Sequence, residues 1–175
     1  MLKGFSALQI LFLNILVIGV WHVSVFIACV KLPPSYFNCN KGRFRPREWE
    51  RGGRWYRDKL KINVWKDKVP QHVAKDGFSK SHITDVSIEY LDVFIMETCR
   101  GEWNHTTDAF CIIFVLIMNP LSWGLFCSFL ILLGNLPFAA IQRYNRFRLL
   151  TVRKKLLRDL SRAEAQKQAS HTVTT

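Results

Sequence analysis

Apolar positions in this chain fall into two long runs set in otherwise polar sequence. Residues 5–30 contain no Asp, Glu, Lys or Arg, and roughly 20 mostly apolar residues suffice for a helix to cross a bilayer. The second run, residues 109–141, is too long for one upright helix. It is interrupted at Asn119-Pro120, where proline lacks an N–H and biases its predecessor away from helix. The pattern predicts arms over 109–118 and 121–141, the first long enough only if its helix begins in the polar stretch around 98–105. Gly134-Asn135-Leu136-Pro137 predicts a kink in the second arm. Between the runs, helical phasing through 81–105 gathers Ile83, Val86, Tyr90 and Phe94 on one face, with Leu91 nearby and Asp85, Glu89 and Asp92 opposite. That is an amphipathic helix. Its apolar face, extended forward, carries Glu97, Thr98, Gly101 and His105, with Glu102 at the margin. Burying such groups is costly unless they are paired.

Average composition conceals this segregation: the chain is 49% hydrophobic with a mean hydropathy of only +0.06. The formal charge is +12 over 175 residues, carried almost wholly outside the apolar runs. Cations favour the cytoplasmic side of a membrane protein, and both 31–108 and the segment after 141 are rich in them. A hairpin keeps both basic regions inside with the N-terminus outside, whereas a single pass would strand one of them. The expected fold class is therefore an all-α integral membrane protein. It comprises a transmembrane helix at 5–30, a basic, amphipathic cytoplasmic region at 31–108, a membrane helical hairpin with an Asn-Pro break at 109–141, and a basic cytoplasmic tail at 142–175. A soluble enzyme, a secreted disulfide scaffold and a disordered chain are all disfavoured. Five cysteines without a Cys-x-x-Cys pair favour neither a disulfide framework nor a zinc site. Phe26-Ile27-Ala28 before Cys29 loosely resembles a lipobox, but the apolar run is far longer than a signal peptide's.

No phosphate-cradling glycine loop, G-x-S-x-G elbow or H-E-x-x-H helix occurs. A His-x-x-x-x-Asp acyltransferase signature is also absent: His72 meets Asp76 one residue early, and His82 and His105 each meet an aspartate three residues on. No spacing specifies a metal. What remains is the run Glu97-Thr98-Cys99-Arg100-Gly101-Glu102-Trp103-Asn104-His105. It places a base that titrates near neutrality beside carboxylates and an arginine, next to an apolar segment. Glu102 and His105 are i, i+3 neighbours on a helix; an ordinary ion-pair and capping cluster is the competing explanation. Directly after the second apolar run, Arg143, Arg146 and Arg148 suit bidentate phosphate recognition or an anchor on anionic lipid heads. Asn14, His22 and Asn135 are polar groups within apolar runs, suggesting function or helix–helix hydrogen bonds. Trp49, Trp55, Tyr56 and Trp65, interleaved with basic residues, suit an interfacial belt or a sugar-stacking surface better than nucleic acid.

These residues, in their order, resemble a known family. Leu32-Pro33-x-x-Tyr36-Phe37 follows the first span. Then come Glu50-x-x-Gly53-x-x-Tyr56, Trp65-Lys66, His82 and Glu97-Thr98-x-Arg100-x-Glu102-x-x-His105. Asn135-x-Pro137 leads into Gln142-Arg143-Tyr144-Asn145-Arg146-x-Arg148-Leu149. Over about residues 30–150 the chain resembles the glycosyl-4,4'-diaponeurosporenoate acyltransferases, with Phe147 where a proline is expected in the last motif. The resemblance implies final esterification of a staphyloxanthin-like pigment in a bacterial plasma membrane: a fatty acyl group moves onto a sugar hydroxyl of a glycosylated carotenoid acid. No bound cofactor is expected. The donor substrate is an acyl thioester, on coenzyme A or acyl carrier protein, and the expected partners are membrane lipid, the carotenoid acceptor and other enzymes of the pathway. The alternative is a non-catalytic membrane scaffold or anionic-lipid-binding protein. Under the enzymatic reading His105 is the expected general base, oriented by Glu102 with Glu97 in reserve, and His82 is the competing base. Asn135 is expected to donate toward the developing oxyanion. Arg143 and Arg146, with Arg100 and Arg148, are expected to hold donor phosphates; no metal is expected.

The charge distribution makes the topology testable. In intact cells, Cys39 and a cysteine introduced at Ser170 are expected to resist a membrane-impermeant thiol reagent. Ready external labelling of either refutes the cytoplasmic placement of both basic regions.

Overall fold

The computed structural model describes residues 4–69 and 87–173, and every element in them is helical. The first helix, α1 (Ala7–Lys31), opens on a reciprocal cap. The Ser6 hydroxyl accepts from the Gln9 amide, and the Gln9 side chain accepts from the Ser6 amide at 2.9 Å. It closes at Leu32, extended as expected before Pro33-Pro34. Residues 34–68 then form a cap of short turns, including α2 (Arg54–Asp58) and α3 (Ile62–Trp65). Within the cap, Arg51, Gly52 and Gly53 all take positive φ (49°, 65° and 91°) to make a tight reversal. Gly53 has a second reason to lack a side chain: a Cβ there would lie 2.9 Å from that of Phe147.

The Ser87 hydroxyl caps α4 (Ile88–Ala109) by accepting from the Tyr90 amide at 3.1 Å. After a break at Phe110 the chain continues as α5 (Cys111–Met118), turns at Asn119-Pro120 and returns as α6 (Leu121–Val173). At 53 residues, α6 is about 80 Å long and runs through Pro137 without ending. Contacts between the two arms step outward from the turn. Val115 and Leu116 meet Gly124, Cys111 packs with Ile131, and Gly101 abuts Gln142; farther out, Leu91 and Phe94 pack with Leu149, and Asp92 pairs with Arg153. The α4–α5 arm therefore runs antiparallel to α6 along its whole length, well beyond residues 109–141. The predicted amphipathic helix corresponds to α4, its residues before 87 lying outside the described segments. Its buried stripe is Leu91, Phe94, Ile95, Thr98, Cys99 and Glu102. Glu102 thus sits at the centre of that stripe, not at its margin, because close approach at Gly101 turns this face toward α6.

Helix α1 lies against the same arm in the opposite direction. Near the turn, Asn14 and Asn119 exchange two amide hydrogen bonds of 2.8 Å, and each also donates to a carbonyl of its own helix. Farther along, the Trp21 indole donates to the Thr107 carbonyl at 3.3 Å, and Cys29 reaches Arg100. The N-terminus and the Asn119 turn therefore share one end of the bundle, and the cap covers the other. Helices α1 and α6 are both long and apolar enough to cross a membrane. Around the turn end the exposed surface is apolar: Leu8, Phe12 and Ile15 on α1, Ile117 on α5, and Leu121 and Leu125 on α6.

The Asn14–Asn119 pair predicts its own energetics. In a thermal double-mutant cycle in detergent, Asn14→Val and Asn119→Val are expected to couple by about 0.6–1.7 kcal/mol. Simple additivity excludes a stabilising amide pair.

Candidate functional site

Two polar constructions occupy the interior, one structural and one lining a groove. The structural one ties the cap to the bundle. Arg143 of α6 reaches into the cap and grips Glu50 side-on, Nε to Oε1 at 2.6 Å and Nη2 to Oε2 at 2.9 Å. Its Nη1 donates to the Arg43 carbonyl at 2.8 Å and to Glu102 at 3.1 Å, while Nη2 also donates to the Arg45 carbonyl at 2.8 Å. All five guanidinium N–H groups are thereby engaged. Glu50, wholly buried, also accepts from the Tyr56 hydroxyl at 2.7 Å and the Arg47 amide at 2.6 Å. One turn along α6, Arg146 is 1% exposed and donates to Glu102 Oε2 and, at 2.8 Å, to Cys99 Sγ. Glu50, Arg143, Glu102 and Arg146 form an alternating chain of four charges with no net charge.

This chain revises three expectations. Arg143 and Arg146 are buried among carboxylates and carbonyls, so neither forms an interfacial phosphate site. Glu102 is committed to the two arginines and does not orient His105. Glu97 lies off the buried stripe and pairs with Arg100 at 2.5 Å. Arg100 in turn sits over the Phe37 ring at 5.1 Å. The aromatic residues of the cap do not form a loose belt. Trp49, Trp55 and Tyr56 interlock at centroid distances of 5.1–6.1 Å, and Tyr56 packs onto Phe147 and Tyr144 of α6. Burial pushes the Tyr56 phenol up, with its bond to Glu50 adding to the rise. For Glu50, burial alone would raise the carboxyl, but hydrogen bonds from Arg143, Tyr56 and the Arg47 amide hold it below the ordinary range.

The second construction is a groove of about 510 Å³ between α1, α4 and α6. Apolar side chains form most of its wall, among them Ile18, Phe126 and Leu130, and into it face Asn14, His22, His105, Asp108 and Asn135. Asn135 donates to the Ile131 carbonyl at 3.0 Å, which fixes its amide so that Oδ1 faces His105 Nδ1 at 3.3 Å. The imidazole therefore donates from Nδ1, and the neutral ring carries its lone pair on Nε2. Phe138 stacks on the same ring at 5.1 Å. Asn135, expected as an oxyanion donor, is placed to orient the histidine. His22 is held similarly, Nδ1 donating to the Ile18 carbonyl at 2.8 Å. Asp108 is 4% exposed and accepts from Asn104 at 2.9 Å through Oδ2, while Oδ1 has no partner among the described residues. A buried carboxylate oxygen left without a donor is costly.

The remaining candidates are dispersed. Arg148 is exposed on α6 beside the cap, and His82 lies outside the described residues. Glu50 and Asp108 have no role predicted from sequence and His22 only a general one, although each leaves a trace there. Glu50 begins the Glu50-x-x-Gly53-x-x-Tyr56 motif, His22 interrupts an apolar run, and Asp108 follows His105 at i+3. Among the described residues no cluster of three or more His, Cys, Asp or Glu side chains is arranged to hold a metal.

Comparison with known proteins bears on residues 40–155, which match the family model described as glycosyl-4,4'-diaponeurosporenoate acyltransferase. Curated relatives with that name come from Staphylococcus aureus. The protein of strain MRSA252 is 27% identical over 136 residues, covering 75% of this chain and 78% of the relative. Those of strains RF122 / ET3-1 and USA300 are each 26% identical over the same shares. No solved structure matches.

The charge chain sets a stability prediction. Glu50→Ala leaves Arg143 buried with one carboxylate missing and is expected to destabilise by about 3–5 kcal/mol. Because the Glu50 carboxyl is depressed in the folded state, its contribution is complete at neutral pH. It is lost as pH falls below the ordinary carboxylate range. Thermal unfolding from pH 7 downward checks both statements; an E50A protein as stable as wild type at pH 7 contradicts them.

Proposed function

The chain belongs to the glycosyl-4,4'-diaponeurosporenoate acyltransferase family, and on that premise we propose that it is a membrane enzyme. It transfers a fatty acyl group from a thioester donor to a sugar hydroxyl of a glycosylated carotenoid acid. Helix α1 and the α5–α6 hairpin cross the bilayer, and the cap and the distal part of α6 lie on the cytoplasmic side. The observation that carries the reading is the groove. Its open side lies between α1 and α6, whose outer faces are the exposed apolar surface of the molecule, so an acyl or polyene chain enters it from the lipid without crossing water. A soluble acyltransferase has no need of such an entrance.

His105 supplies the base. With Nδ1 committed to Asn135, Nε2 takes the proton of the sugar hydroxyl as that oxygen attacks the thioester carbonyl carbon. The tetrahedral intermediate collapses with cleavage of the carbon–sulfur bond, and the departing thiolate recovers the proton from the imidazolium. The ester and the free thiol are the products. Asp108, one helical turn from His105 and with Oδ1 unpartnered, supports the cation that exists between the two proton transfers. The mostly apolar wall strengthens that support by excluding water.

Co-expression with enzymes that supply the carotenoid glucoside, followed by mass spectrometry of the extracted pigment, tests the reading. Wild type is expected to add the mass of one fatty acyl group. His105→Ala is expected to lose about two to four orders of magnitude in rate in protein that still inserts, and Asp108→Asn to lose less. Unchanged glucoside with well-inserted wild type overturns the enzymatic reading in favour of a scaffold. Near-normal turnover by H105A moves the base to His22 or His82.

A further inference from the structure

Burial of Arg143 and Arg146 leaves the donor without the phosphate contacts first expected for it, and a different basic surface lies within reach. Where the cap meets α6, a cavity of about 340 Å³ is lined by Gly52, Gly53, Arg54, Arg57, Tyr144 and Arg148, among others. Its three arginines are exposed, and Arg148 makes no ion pair among the described residues. Arg54 directs Nε to the Arg51 carbonyl at 3.3 Å, and Arg57 directs Nε to Asp58 at 2.8 Å. Asp58 occupies only one edge of Arg57. Gly52 and Gly53, which carry no side chains, line the same cavity with backbone. An open cavity lined by three arginines, where two glycines leave part of the wall free of side chains, is complementary to a phosphate.

We infer that this cavity binds the phosphate of a phosphopantetheine-type acyl donor, the end shared by coenzyme A and carrier-protein thioesters; this rests on the acyl-transfer reading above. Position on α6 supports it. Gly134, which lines the His105 groove, and Arg148 lie two heptads apart, so they share one face of the helix, with the cap packed on Ile141 between them. About 21 Å of helix axis separates the first from the last. From phosphate to sulfur, a pantetheine arm has a little over four residue-lengths of extended chain, about 15 Å. The reach of an arginine side chain spans most of the remainder. A phosphate seated at Arg54, Arg57 and Arg148 thus holds the thioester at the cytoplasmic mouth of the groove, with the acyl chain directed into it.

The experiment reads binding without turnover. The full chain in phosphatidylcholine nanodiscs is titrated with 4'-phosphopantetheine, and with pantetheine, which lacks the phosphate. Wild type is expected to prefer the phosphorylated arm at least tenfold, a preference that weakens with salt. The Arg54→Gln/Arg148→Gln protein is expected to lose that preference, and Arg148→Lys alone to keep most of it. All these side chains are exposed, and recovery of inserted, helical protein confirms that the variants fold. Equal preference in wild type and the double variant overturns the inference. So does displacement by glycerol 3-phosphate as effective as by phosphopantetheine itself, which would identify a site for lipid headgroup phosphate. The two readings also fail separately. Phosphopantetheine binding without acyl transfer removes only the reaction; full transfer by R54Q/R148Q with unchanged donor KM removes only this site.

Discussion

Arg143 is the side chain on which the two halves of the molecule depend. A guanidinium taken out of water must find an acceptor for each of its five N–H groups, and the acceptors here come from two separate parts of the chain. Glu50 and the carbonyls of Arg43 and Arg45 belong to the cap, Glu102 belongs to α4, and the arginine itself to α6. None of these partners is stable in its place without the others. Short turns such as those at residues 34–68 have little regular structure to hold them, so the cap is ordered by what it encloses. The packing of Phe37 and Phe44 on Cys99, and of Tyr56 on Phe147, surrounds the ion chain with apolar wall. That wall excludes water and raises the cost of removing any one charge.

The same constraint fixes the height of the groove. Gly101 lets α4 and α6 approach closely beside Gln142, and Glu102 and Arg146 lock the register one residue on. From there both helices are determined down to the Asn119 turn. His105 lies three residues from Glu102, and Asn135 lies two helical turns from Arg143, so they meet because the ion chain has already aligned their helices. The histidine's tautomer is a further consequence. The Ile131 carbonyl orients Asn135, and Asn135 orients the ring. The charges that carry the fold are thus separate from the groups that line the groove, though only one turn of α4 separates them.

The sequence was legible where a pattern extends over many residues and opaque where a function depends on pairing. The apolar run at 5–30, the proline break at 120 and the amphipathic stripe from Leu91 to Phe94 all express helical periodicity or steric exclusion. Each has its counterpart in α1, in the end of α5 at Met118, and in α4. Partner choice was not legible. The position of Arg143 and Arg146 directly after an apolar run predicts an interfacial, phosphate-facing pair, and nothing local shows that a carboxylate 93 residues away in sequence buries one of them. Glu102 was paired with His105 by i, i+3 adjacency, yet two arginines from α6 compete for it and a carboxylate gains more from a guanidinium than from a neutral imidazole. Phe147 shows the opposite case. Standing where a proline was expected, it continues the helix and provides the surface against which Gly53 and Tyr56 pack.

The separation of the ion chain from the groove bears on why so small a chain places four charges in its interior. Esterifying an amphiphile requires a polar hydroxyl, a thioester and a long chain to meet at one depth, where the bilayer changes from hydrocarbon to headgroup. Two helices packed only by apolar side chains in lipid have no strong preference for one register over another, because sliding exchanges one apolar contact for a similar one. An arginine engaged by two carboxylates and two carbonyls cannot slide without exposing an unpaired charge. The ion chain therefore converts a slippery helix pair into one with a fixed register, and it does so just at the polar end of the groove. His105, one turn farther into the apolar zone, inherits a fixed depth. On the proposed reading, a histidine so placed reaches a sugar from one side and a chain embedded in lipid from the other, as transfer between two amphiphiles requires.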